Sequence, residues 1–201
     1  MERRNMSIRE TIQIGDPRLK VKNKTVTDFD DPAVKQVITD LIESMHSKEL
    51  LVGLSAPQIG ENYKIFVTEP RKTKTRSGDQ VDELRVYINP IVTQSSSEKM
   101  TVYEGCGSFV NGQLFGPVKR PKEVTIEAYD QEGKKFRLTC DGILARVIQH
   151  EYDHLDGIEF IEKIFDYKKL MNIDFYLKDI KNSKEQNKAS VITKKNVVLL
   201  P

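Results

Sequence analysis

Apolar positions along the chain change period several times, and each change predicts a different kind of element. Over residues 31–48, Val34, Val37, Ile38, Leu41, Ile42 and Met45 recur at helical spacing; Asp30 or Asp31 is placed to cap the start, and Pro32 suits the first turn. From Leu50 the texture becomes short apolar runs broken by turn residues, and residues 64–68, 84–88, 124–128 and 135–138 read as strands. A second helix is predicted over residues 141–155, where Ile143, Leu144, Val147 and Ile148 form a stripe leading into two histidines and Asp156-Gly157 supplies a stop. Residues 167–180 predict a further helix, with Leu170, Ile173 and Leu177 on one side. The charged stretch 71–83, with its Ser77-Gly78-Asp79 turn, predicts an exposed loop. Lysine-rich residues 181–195 predict a mobile tail ending in the apolar Val197 to Leu200.

A length of 201 residues is enough for one sizeable core, and no linker divides it, so a single domain over residues 1–180 with a tail at 181–201 is expected. A net charge of +2 gives no electrostatic case for DNA or a membrane surface as partner. No apolar run reaches the roughly 18 residues of a membrane span, and the opening MERRNMSIRE lacks the apolar run of a signal peptide, so a cytoplasmic location is expected. Cys106 and Cys140 are then expected to stay as thiols. Met6 follows Met1 closely enough to leave open whether residues 1–5 belong to the fold.

The chemistry gathers at His150-Glu151-Tyr152-Asp153-His154, an HExxH pattern. On a helix, positions four apart share a face, so both imidazoles reach one ion while Glu151 flanks any water that the ion activates. A catalytic metal usually takes three protein ligands, so a third is required. His46, the only other histidine, falls near a helix end and reads as a surface imidazole; Cys106 or a carboxylate remains. Gly105 and Gly107 flank Cys106 and would let backbone approach an ion closely. Cys140 continues the Phe136, Leu138 alternation and reads as a small core residue. Ile143 and Val147, seven and three residues before His150, face the metal side and are candidates for an apolar pocket, with Arg146 at its rim.

Three motifs in order, Gly53-Leu54-Ser55-Ala56-Pro57-Gln58, Glu104-Gly105-Cys106-Gly107-Ser108 and Gln149 to His154, resemble the peptide deformylase family, as do Ile14 to Leu19 and Val118 to Pro121. The resemblance covers about residues 8–165. It implies an α+β fold, with antiparallel sheets around the HExxH helix, and an enzyme that hydrolyses the N-formyl group from the formylmethionine of new polypeptides. It assigns Cys106, His150 and His154 to one divalent ion, Fe2+ in the cell, with Zn2+, Ni2+ or Co2+ able to replace it. Glu151 would take a proton from the attacking water and carry it to the leaving amine. The Gln58 amide and the Gly107 N–H would steady the oxyanion, and the N-formylmethionyl peptide would lie extended against Val52, Gly53 and Gly105. The lysine-rich C-terminal region raises the further expectation of ribosome association, a role such regions take in some relatives.

The chain also departs from the family's pattern. Leu51 and Gly107 stand where the family usually has glycine and leucine, Ser55 replaces alanine, and Phe109-Val110 lacks a proline often found there. If position 51 needs a positive φ, leucine would be strained by about 1–2 kcal/mol. These residues also admit two other readings. A zinc endopeptidase would want a further ligand downstream, and only Glu159 and Glu162 are near; a peptide-binding module with an altered cleft is the non-enzymatic alternative.

Overall fold

The computed structural model describes residues 8–73 and 76–201; residues 1–5, whose membership the sequence leaves open, lie outside the described residues. The first helix, α1 (Pro32–His46), begins where the Asp31 carboxylate accepts the Ala33 N–H at 2.8 Å. Its stripe of Val34, Val37, Ile38, Leu41 and Met45 is buried against β1 (Gly53–Ser55) and β2 (Ile65–Thr68). The chain continues through β3 (Arg85–Ser95), β4 (Lys99–Gly105), β5 (Leu114–Pro121), β6 (Val124–Tyr129) and β7 (Lys135–Cys140). The helix α2 (Gly142–Leu155) follows, then β8 (Met171–Asn172), the short α3 (Ile173–Phe175), α4 (Lys184–Ser190) and β9 (Lys195–Leu199). One antiparallel sheet runs β1-β2-β3-β6-β7-β9 and a second runs β4-β5-β8, so the fold is α+β.

α2 buries Leu144, Ala145, Ile148 and Leu155 with Phe66, Tyr87 and Leu138 of the large sheet. Cys140 lies in the same cluster as a core residue, its thiol pushed up by burial. β4 and β5 escaped the apolar pattern because one buried position in each, Glu104 and Arg120, is charged and the two pair with one another. An apolar period cannot report a strand whose interior face is ionic.

Three expectations are corrected. The helix predicted over residues 167–180 is broken: a 3-10 turn (Tyr167–Lys169) gives way to β8, which pairs with Leu114 and Phe115 of β5, before α3 runs into a π-helical turn (Tyr176–Ile180). Asp166 and Asn172 each accept a backbone N–H two residues on, and these caps restart the helix twice. Residues 181–201, expected as a mobile tail, carry α4 and β9, and β9 pairs with β7 over five residues. The stretch 71–83 is not a free loop: Gln80 and Asp82 are buried, Gln80 donates to the Asn187 carbonyl, and Asp82 accepts from Arg85 and Lys195.

The C-terminal segment is tied to the start of α2. The Asp141 carboxylate, at the N-cap position, is turned instead to the Thr193 and Lys194 N–H groups at 2.7 and 2.8 Å. Gly142 has φ +61°, and a Cβ there would stand 2.2 Å from the Val191 carbonyl oxygen, so only glycine fits.

Candidate metal centre

α2 presents His150 and His154 one turn apart, and the chain leaving β4 delivers Cys106. One donor atom from each of the three lies within 4.8 Å of the others, and all three residues are buried. The Cys106 Sγ is 3.3 Å from His154 Nε2, and the imidazole planes cross at 74°. A thiol and two imidazoles converging out of solvent fit one divalent transition-metal ion. Among the described residues no other group of His, Cys, Asp or Glu meets that geometry.

Carboxylates stand behind both histidines. His150 Nδ1 bonds Glu104 Oε2 at 3.0 Å, which leaves Nε2 for an ion. Glu104 is clamped by Arg120 at 2.8 and 3.0 Å and by Arg146 at 2.9 Å, and Arg120 extends to Asp153 at 2.5 Å. Burial alone would raise the Glu104 pKa, but Arg120, the His150 hydrogen bond and Arg146 hold it well below the usual carboxylate range. Burial likewise opposes protonation of His150, yet its contacts with Cys106 and Glu104 raise it; His154 is driven down by burial and then by His150 and Arg120. Glu159 Oε2 lies 3.8 Å from His154 Nδ1, and neither Glu159 oxygen has a hydrogen-bond partner.

Glu151 is buried between α2 and β1, its Oε2 unpartnered, and burial raises its pKa to about 7 against the opposing pull of His150 and Ser55. Gln58 is oriented by its carbonyl end: Oε1 accepts the Ser55 N–H and hydroxyl, both at 2.9 Å, so Nε2 points to Cys106 Sγ at 3.4 Å. The serine that replaces alanine thus adds an anchor. The Gly107 carbonyl accepts from Thr11 and Gln13, while among the described residues its N–H has no partner.

β1 and β4 are each the outermost strand of their sheet, and a cavity of about 180 Å³ lies beside both. Val52, Gly53, Gly105, Ile143 and Val147 line it, together with Cys106, His150 and Glu151. The Val52 carbonyl already accepts the Glu69 N–H. The two cleft glycines answer first to the chain's own packing: a Cβ on Gly53 would stand 2.5 Å from Val147 and 2.7 Å from Glu151 Oε1, and one on Gly105 2.8 Å from the Phe115 ring. Leu51 has no positive φ, so the strain that a leucine there threatened is absent. Its Cδ2 reaches to 3.5 Å from where a Gly107 Cβ would be, filling the wall that glycine empties. Arg146 lines the cavity but is buried, donating to Glu104 and to the Val118 and Met100 carbonyls, so it is an internal cation rather than a rim residue.

Glu104, Arg120 and Asp153 carry no role in the sequence pattern, and Glu159, which it offers only as a downstream ligand of an endopeptidase, stands instead behind His154. The available signal was that Glu104 and Arg120, charged residues inside β4 and β5, both fall in stretches that carry the family resemblance. His46 is exposed beside Glu69, far from this cluster in role.

A polypeptide deformylase family model matches residues 8–170. The peptide deformylase of Dictyoglomus thermophilum is 39% identical over 156 residues, 78% of this chain and 92% of that protein. Peptide deformylase 2 of Vibrio cholerae is 36% identical over 177 residues, 88% and 98%. The crystal structure of the Thermotoga maritima deformylase superposes with a TM-score of 0.69 at 31% identity, covering 79% of this chain and 99% of that one.

Proposed function

Because the chain belongs to the peptide deformylase family, whose members are metal-dependent hydrolases acting on formylated nascent peptides, we propose that Cys106, His150 and His154 hold its ion and that Glu151 moves its proton. The observation that carries this assignment is the convergence of the three buried donors beside a carboxylate whose pKa is raised to about 7. A divalent ion bound there supplies Lewis acidity, making a water a better nucleophile and a formyl oxygen a better acceptor of charge.

Glu151 takes the proton of the attacking water as the new C–O bond forms, and gives it to the amine nitrogen as the C–N bond breaks, so formate and a free N-terminus leave. Its raised pKa suits both halves of that transfer. Gln58 Nε2, fixed by Ser55, and the Gly107 N–H supply donors to the oxyanion. The peptide lies extended between β1 and the end of the β4 edge at Gly105, with methionine against Ile143 and Val147. Ferrous iron is the proposed cellular ion, and metal analysis of protein purified without oxygen, alongside its activity, tests that.

The assignment of roles is tested by Glu151→Ala, expected to abolish turnover of formyl-Met-Ala-Ser while leaving the metal bound, and by Cys106→Ser, expected to lose metal. Stoichiometric metal in the serine variant would sink the three-ligand set. No helix among the described residues is long and apolar enough to cross a membrane, and we place the enzyme in the cytoplasm beside ribosomes. Since α4 is folded, ribosome association is tested by Lys184→Gln with Lys188→Gln rather than by deletion, cosedimentation falling in a salt-dependent way.

A further inference from the structure

The family match ends at Leu170, yet the cleft does not: Tyr176, Lys181, Gln186, Asn187 and Ser190 line the same cavity as Cys106 and His150. Gln186 is the fixed point of this wall. Its Oε1 accepts the Tyr103 N–H and its Nε2 donates to the Tyr103 carbonyl, both at 3.1 Å, in a residue only 9% exposed. A primary amide offers one acceptor and one donor side by side, the pair that an extended residue of another strand would offer. Tyr103 and Gly105 are two apart on the edge strand β4, so their backbone groups face the same way. Gln186 therefore occupies the ladder position adjoining Gly105, where an added strand would otherwise continue.

The wall is held in place from several sides. Ser183 caps α4, Gln80 donates to the Asn187 carbonyl, and Tyr176 stacks on Phe115 at 3.9 Å with planes 5° apart. Ile192 N–H donates to the Asp79 carbonyl at 2.8 Å, beyond the helix.

We infer that α4 is a specificity-determining wall of the cleft. It ends the added strand at Gly105 and limits the first side chain of the substrate to about the length of methionine. This rests on reading the cavity as the formylmethionine pocket. Gln186 and Ser190 are then positioning and selecting residues, not members of the proton-transfer machinery.

The test compares formyl-Met-Ala-Ser with the same tripeptide opened by S-propylhomocysteine, a methionine lengthened by two carbons, and by norvaline, which is shorter. Gln186→Ala is expected to raise kcat/KM for the long peptide relative to methionine by about tenfold, chiefly through KM. Ser190→Leu adds bulk to the same wall and is expected to move preference towards norvaline by a similar factor. Metal content and thermal unfolding are followed in each, and if Gln186→Ala does not fold, Ser190→Leu decides alone. Selectivity unchanged in folded, metal-loaded variants overturns the inference even while the wild type deformylates formyl-Met-Ala-Ser. Absence of that wild-type turnover strikes the underlying reading instead.

Discussion

Leu51 and Gly107 look like two separate departures from the family's pattern until their contact is seen. The Leu51 side chain lies in ordinary van der Waals range of the place where a side chain at 107 would begin, with Thr11 at 3.4 Å on the other side. Gly107→Leu alone should overpack this wall by about 1–3 kcal/mol, and Leu51→Gly alone should empty it. The double exchange should recover stability and kcat/KM, with a coupling of at least about 0.5 kcal/mol; additive effects in thermal unfolding would break the pairing. A second expectation concerns Glu104, whose carboxylate is shared by His150, Arg120 and Arg146. Glu104→Gln should weaken metal binding by about 10–100-fold in a chelator competition, because the imidazole loses its orienting partner. His150, Glu151, His154 and Cys106 were legible because their chemistry is written in runs of a few residues. Glu104's role was not, since its partners lie on β5 and α2 and no local pattern announces them.

At the scale of elements, amphipathic helices declared themselves and strand partners did not. α1 and α2 follow from apolar spacing, whereas β8 and β9 exist because β5 and β7 offer unpaired backbone. Such an offer leaves no trace in the sequence of the accepting segment, and every residue of β9 remains exposed. The attachment of β9 includes Lys195, which reaches buried Asp82 at 2.6 Å. Burial would raise the Asp82 pKa, but hydrogen bonds from Arg85 and Lys195 outweigh it and the value is lowered. A depressed carboxylate contributes stability that is complete above its unfolded pKa of about 3.9 and is lost as pH falls through the lower folded value. Lys195→Ala removes one lowering partner, so the acid limb of thermal stability should shift to higher pH. An unchanged acid limb would show that Arg85 suffices.

For the whole molecule, an ion held by the proposed ligands would join segments more than forty residues apart, Cys106 after β4 and the histidines on α2. Binding that favours only the folded chain adds about 2.7 kcal/mol at a free metal concentration a hundredfold above Kd. Chelation should therefore lower Tm in the wild type, and Cys106→Ser should abolish most of that difference; equal Tm with and without metal would argue against the ion as a link between the sheets. The α+β class and the convergence of Cys106, His150 and His154 were readable from motifs, but the shape of the cleft was not, because one of its walls comes from the lysine-rich end.

That wall also orders events in time. Synthesis completes the metal ligands by His154, well before α4 and β9 exist. Yet the start of α2, which carries both histidines, is tied at Asp141 to the Thr193 and Lys194 N–H groups, so the last segment to be made completes the ligand helix and the cleft wall together as β9 clips onto β7. A molecule stalled before α4 would lack the anchor of its ligand helix as well as one side of its cleft.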